Sequence, residues 1–200
     1  MAYKLDTSHN ARSFTKGRTA KIKHIVIHHW GVDGQTHDGV VAFFERGPGT
    51  SAHYVASAGR VSCIVDPDDT AWHAGSWAEN CQSIGIECRP EMSDGDIATV
   101  AELIRDIRKA YGDLELHVHS EFFNTSCPGR WRDKLGMAAL DKRARAASGG
   151  NAPTVVPAST SKPAPAPAAS PVADGYWGST TTRALQKARG GVCIPPAVST

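Results

Sequence analysis

Lys23-His24-Ile25-Val26-Ile27-His28-His29-Trp30 is the stretch whose reading decides the fold. It is β-branched and mostly apolar, the pattern of a buried strand. Working outward, residues 38–46 carry Val40, Val41, Phe43 and Phe44 and end at Gly47-Pro48-Gly49, which reads as a short helix. Residues 52–58 and 60–65 read as two strands joined through Gly59 in a hairpin. Residues 83–88 form another short apolar strand. Over residues 96–111, Ile97, Val100, Ala101, Ile104 and Ile107 recur at helical spacing, and Gly112 fits the C-cap. Residues 114–119 alternate like a strand, and residues 132–147 make a weaker helix. Strands interleaved with helices predict an α/β fold, a single mixed β-sheet flanked by helices.

The 200 residues are 40% hydrophobic and 21% charged, with a net charge of +2. This composition excludes a wholly disordered, collagen-like or coiled-coil chain. The small charge gives no argument for nucleic acid. No apolar run reaches the ~18 residues of a membrane helix, so no membrane insertion is expected. The averages hide an asymmetry. All nine histidines precede residue 120, while six of the twelve prolines fall between Pro153 and Pro171. Up to Ala147 there are 18 basic and 19 acidic residues; beyond it there are 4 and 1. The prolines alternate with alanines in a stretch almost without large apolar side chains, the composition of a semi-rigid spacer. The expected organisation is a body over residues 1–147, a Pro/Ala-rich linker over 148–173, and a segment over 174–200 with one short helix. That last segment is too short for a core of its own.

Three features of the body could carry chemistry. In His119-Ser120-Glu121-Phe122-Phe123-Asn124-Thr125-Ser126-Cys127-Pro128-Gly129, a His and a Cys flank a short loop. Imidazole with thiolate suits Zn²⁺, and His28 at the end of the first strand is the candidate third ligand. Two imidazoles and a thiolate leave a fourth position open for water, the layout of a catalytic site. Against this, nine histidines place some near one another by chance, and H-x7-C is not specific alone. In Ala71-Trp72-His73-Ala74-Gly75, an aromatic and an imidazole sit on a small-residue turn, either as a groove wall or as a loop around a packed Trp. In Ile84-Gly85-Ile86-Glu87, a carboxylate ends a buried strand. It is a general base if it lies beside a metal-bound water, and an ordinary strand-end Glu if not.

Together these residues resemble the zinc-dependent N-acetylmuramoyl-L-alanine amidases of the amidase-2 and peptidoglycan-recognition-protein family. The matching motifs run in the family's order: IVIHH (25–29), SAHYV (51–55), AWHAG (71–75), Asn80 with SIGIE (83–87), and H-x7-CPG (119–129). The resemblance implies that His28, His119 and Cys127 bind Zn²⁺, with His117 outside the motif, His29 on the opposite strand face and His53 structural. It implies that Glu87 activates water and that Thr125 stands near the substrate oxyanion. Trp72 and His73 would line the groove, and Tyr54 is a further substrate contact. In the place of the tyrosine used by many phage and animal members the resemblance sets Ala52, which shifts weight to Glu87. After the linker, Asp174-Gly175-Tyr176-Trp177-Gly178 through Gln186 resembles the opening of a peptidoglycan-binding module, without its continuation.

The five cysteines do not define a disulfide framework, although Cys81 and Cys88 are close enough in sequence to bridge. Met1-Ala2-Tyr3-Lys4-Leu5-Asp6 lacks an apolar core, so no signal peptide is expected and synthesis is placed in the host cytoplasm. A wall-binding tail on such an amidase fits an endolysin, a monomer reaching cell-wall peptidoglycan through a holin-type pore. A cytoplasmic recycling amidase for soluble muropeptides and a non-catalytic peptidoglycan-binding protein are the other two readings. Retention of Cys127 with both histidines favours catalysis.

Overall fold

Alternation along the first long strand settles which way each face of the sheet looks. In the computed structural model, which describes residues 3–146, Ile25 and Ile27 point to one side and His24, Val26 and His28 to the other. The linker and the module-like segment expected over 148–200 lie outside the described residues.

The strands are β1 (Lys4–Asp6), β2 (Phe14–Thr15), β3 (His24–His29), β4 (Tyr54–Ser57), β5 (Arg60–Cys63), β6 (Thr70–Ala71), β7 (Ser83–Cys88) and β8 (Glu115–Val118). The helices are α1 (His37–Glu45), α2 (Trp77–Gln82), α3 (Asp94–Tyr111) and α4 (Lys134–Ala146), with 3₁₀ turns at His119–Glu121 and Gly129–Arg132. Six strands form one sheet in the order β1-β5-β4-β7-β3-β8, and β2 pairs with β6 in a separate ribbon. The β4-β7-β3-β8 run is parallel, β5 is antiparallel to β4, and β1 is parallel to β5. The sheet is therefore mixed, as the interleaved sequence pattern predicts.

Behind the sheet, Ile25, Ile27, Tyr54, Ile84 and Ile86 pack with Val100, Ile104 and Ile107 of α3, and Leu140 of α4 joins this core. At that helix's start, the Ser93 hydroxyl accepts from the Asp96 amide while the Asp96 carboxylate accepts from the Ser93 amide and hydroxyl. The same carboxylate accepts from the Ala58 amide at 2.8 Å, tying α3 to the β4–β5 hairpin. In front, α1 covers only part of the sheet, packing Val40, Val41 and Phe44 around Val55 of β4. The front of β7, β3 and β8 carries His24, His28, Ser83, Glu87 and His117 around Val26 and Gly85.

Short elements account for what the sequence did not predict. β1, β2 and β6 have two or three residues each, too few to show a period, and α2 has six. The Cys81–Cys88 bridge is corrected: the described cysteines are all free. Strand β7 runs between the two, and its rise of ~3.3 Å per residue holds them far beyond the ~7 Å limit for a disulfide.

Candidate active site

Register brings the central side chains together. His28 pairs with Glu87, and Val26 is flanked by Gly85 and His117. Paired residues on parallel neighbours share a face, so His28, Glu87 and the end of β8 meet at the open front of the sheet. His119 follows directly after β8. The loop from there to Cys127 is clamped by Arg132, which donates to the Ser120 hydroxyl at 3.0 Å and the Thr125 carbonyl at 2.6 Å. Its return places Cys127 Sγ 3.8 Å from His28 Nδ1.

One donor atom each from His28, His119 and Cys127 lie within 4.8 Å of one another, the only such group of three among the described residues. Zinc bonds of ~2.0–2.3 Å at tetrahedral angles set ligand atoms roughly 3.3–3.6 Å apart, so the cluster closes on an ion with small movements. The donors fit in kind as well. Both ring nitrogens of His119 are buried with no side chain as hydrogen-bond partner. Burial drives the His28 pKa well below the usual histidine range, with His73 and His119 adding to it, and burial also lowers His119. Both imidazoles are thus neutral, as ligands must be. Burial pushes the Cys127 thiol up to about 12, and the charge of Glu87 adds to this. The His29 amide donates to that sulfur at 3.4 Å, a contact suited to a thiolate.

Glu87 is partly exposed, yet one carboxylate oxygen is sealed from solvent without a partner. Burial alone raises its pKa to about 8. An orphaned carboxylate in that range can hold or release a proton near neutral pH. Thr125 is half-buried, and its oxygen accepts from the Cys127 amide at 3.2 Å, so its hydroxyl proton is free to point elsewhere. Phe123, 52% exposed, lies nearly parallel to the His119 ring at 5.9 Å. It rests on Gly75, where φ is +68° and a Cβ would fall 2.5 Å from the phenyl ring. Phe123 was not legible as a site residue, because nothing in the sequence ties it to Gly75.

Of the three expected substrate contacts, Tyr54 and His73 are buried and Trp72 is exposed. Tyr54 is fully buried on the back of the sheet in the core under α3, because it alternates with front-facing Val55. His73 is 5% exposed and lies beneath His28, its backbone N–H and that of Ala74 both held by Asn80 Oδ1. Trp72 is 37% exposed, and its indole N–H donates to Thr15 at 3.0 Å on the β2–β6 ribbon. Of the remaining histidines, His117 faces Glu121 at 2.6 Å, and the His29 ring packs over Gly129.

A parallel-centred sheet thus carries two imidazoles, a thiol and an orphaned carboxylate at one edge, a candidate metal site beside a candidate base. The chain belongs to the N-acetylmuramoyl-L-alanine amidase family (Amidase_2), whose profile matches residues 18–130. It is thereby an amidase acting on peptidoglycan. Among solved structures, the catalytic domain of PlyG is 18% identical, with a TM-score of 0.62 over 76% of this chain and 99% of that one. A mutant endolysin from Bacillus subtilis is 18% identical with a TM-score of 0.60, covering 71% of this chain and 99% of that one. The amidase LysC from Clostridium intestinale is 17% identical with a TM-score of 0.55, covering 68% and 95%. At these identities the likeness is one of fold. No curated protein matches the chain. No helix among the described residues is long and apolar enough to cross a membrane.

Proposed function

We propose that the chain is a zinc-dependent endolysin that hydrolyses the amide between N-acetylmuramic acid and L-alanine in peptidoglycan. The observation that carries this reading is the convergence of His28, His119 and Cys127 beside the orphaned Glu87 carboxylate. These three residues would hold the ion. Bound Zn²⁺ supplies a Lewis acid for the scissile carbonyl and acidifies a water. Glu87 takes the proton of the attacking water as its oxygen bonds to the carbonyl carbon. It then gives that proton to the alanine nitrogen as the C–N bond breaks. The Thr125 hydroxyl donates to the oxyanion formed between these steps. Tyr54 has no part in this scheme, and neither Trp72 nor His73 is needed as a substrate contact.

The decisive experiment couples metal analysis to muropeptide mass spectrometry. The expected result is one zinc per chain and chelator-sensitive release of stem peptides with a free L-alanine amino group. Glycan cleavage, or release untouched by chelator, would refute the scheme. The endolysin role rests on the Pro/Ala-rich spacer and the module-like Asp174–Gln186 sequence, since a soluble muropeptide needs no anchor. Retention of the full chain on purified walls should fall in a Tyr176→Ala, Trp177→Ala double variant. Unchanged retention removes that support. A holin-type pore as the route to the wall belongs to the same proposal.

A further inference from the structure

We propose that His73 is a positioning residue that fixes the tautomer of His28, and so decides which nitrogen of His28 is left for the metal. The inference rests on the reading of His28 as a ligand. His28 is held from two sides: Nδ1 lies 3.8 Å from Cys127 Sγ, and Nε2 lies 3.0 Å from His73 Nδ1. A neutral imidazole carries one N–H, so one of these nitrogens donates and the other offers a lone pair. With the proton on Nε2, the lone pair of Nδ1 faces Cys127. With the proton on Nδ1, an N–H blocks the metal position.

The contact between two histidines is ambiguous alone, and the groups behind it resolve it. His73 Nε2 lies 3.2 Å from Ser83 Oγ, and the Ser83 hydroxyl in turn donates to the Glu79 backbone carbonyl. A carbonyl only accepts, so the hydroxyl proton is committed to it and Ser83 Oγ accepts from His73 Nε2–H. His73 Nδ1 is then the acceptor, and His28 Nε2–H must donate to it. Each proton in the chain has one place, and the direction is set by a backbone oxygen of α2. This is the support that metal-ligating histidines commonly receive, here built from imidazole and hydroxyl in series.

The surroundings keep His73 at that post. Its ring lies over Gly85 of β7, where a Cβ would come within 2.7 Å of the imidazole, so only glycine leaves the space. Asn80 Oδ1 fixes its backbone at 3.0 Å. Glycine at the floor, asparagine at the backbone and serine at the far nitrogen all serve a residue 5% exposed, placed to act on His28 rather than on substrate.

The test begins with the full, metal-free chain labelled with ¹⁵N-histidine. Two-bond correlation spectra should show the proton on Nε2 of both His28 and His73. His28 found with its proton on Nδ1 overturns the proposal without any variant. Zinc affinity is then measured by chelator competition. His73→Ala removes the acceptor and should weaken binding roughly 10- to 100-fold. His73→Asn sets an amide oxygen near the place of Nδ1, and should restore affinity to within roughly threefold of wild type, in the range where the outer-shell partner is kept. An alanine variant that binds zinc as tightly as wild type overturns the proposal alone. A wild-type chain that binds no zinc overturns the ligand reading, and this proposal with it.

Discussion

In the proposed scheme Cys127 and Glu87 divide the work of the site, and substitutions at the two should separate it. A neutral serine hydroxyl is a poor zinc ligand, so Cys127→Ser should lose both zinc and activity. Metal content per chain checks this, and full activity in the variant would refute the ligand set. Glu87→Gln should keep zinc and lose turnover by about 10²–10⁴-fold, the usual worth of a general base. The same variant should stabilise the metal-free fold in alkali. Glu87 has a folded pKa of about 8, raised above its unfolded value by burial, so ionising it costs stability as pH rises. Glutamine removes that cost, of order 2 kcal/mol once its partial exposure is allowed for. Denaturant midpoints at pH 9 measure the gain, and a loss of stability would show that the carboxylate is paired. At this scale the sequence was legible where chemistry is stated by residue type. The proposed donors His28, His119 and Cys127 and the proposed base Glu87 stood out through their motifs, and the register brings them together. The burial of His73 and Tyr54 was not legible, because their partners, Gly85 and α3, are close only in space.

Between elements, Asp96 carries more than a helix start. Its carboxylate is fully buried and accepts from Ser93 and from the Ala58 amide at the hairpin turn. Removing Ser93 Oγ alone costs a cap, about 1 kcal/mol. Asp96→Ala also removes the charged acceptor that holds the Ser93 and Ala58 amides, which adds roughly 1–3 kcal/mol. Thermal melts should therefore show Asp96→Ala well below Ser93→Ala. Equal losses would mean that the hairpin contact contributes nothing. Long elements were readable because period and cap agree: α3 repeats its apolar positions over five turns between Ser93 and Gly112. Strand β7 was readable from Ile84 and Ile86, and its observed bounds match the predicted 83–88. The β2–β6 ribbon has two residues per strand, and pairing rather than pattern defines it. The position of α2 matters most for function, because its Glu79 carbonyl orients Ser83 and its Asn80 holds His73. Six residues gave no period from which to predict it.

For the whole molecule, histidine enrichment has a thermodynamic consequence opposite to that of Glu87. Burial lowers His37 to about 4, and drives His28, His53 and His73 well below the usual range. His37 is neutral between two hydroxyls, Ser57 at 2.8 Å and Ser62 at 3.0 Å, bridging α1 to the β4–β5 hairpin. In the unfolded chain each of these rings takes a proton near pH 6.5, whereas the folded chain refuses it until lower pH. The unfolded state thus binds more protons below pH 6.5. The stability these residues confer is complete above that value and drains as pH falls toward 4. For His37 alone the loss is of order 2 kcal/mol after solvent screening. Glu87 acts in the other window: its folded form keeps a proton up to about pH 8, so stability rises as pH falls from 8 toward 4.5. On descending from pH 8, Glu87 alone adds stability as far as 6.5, below which the opposing loss from the histidines begins to dominate. Metal-free protein should therefore show a stability maximum between pH 6 and 7 in urea denaturation, with a steeper acid limb than alkaline limb. His37→Asn keeps a hydrogen-bonding group and removes the titration, so it should flatten the acid limb. A wild-type midpoint that stays constant from pH 7 to 4.5 would mean that the histidines are solvated in the fold, and that the neutral polar bridge from α1 to the hairpin does not exist.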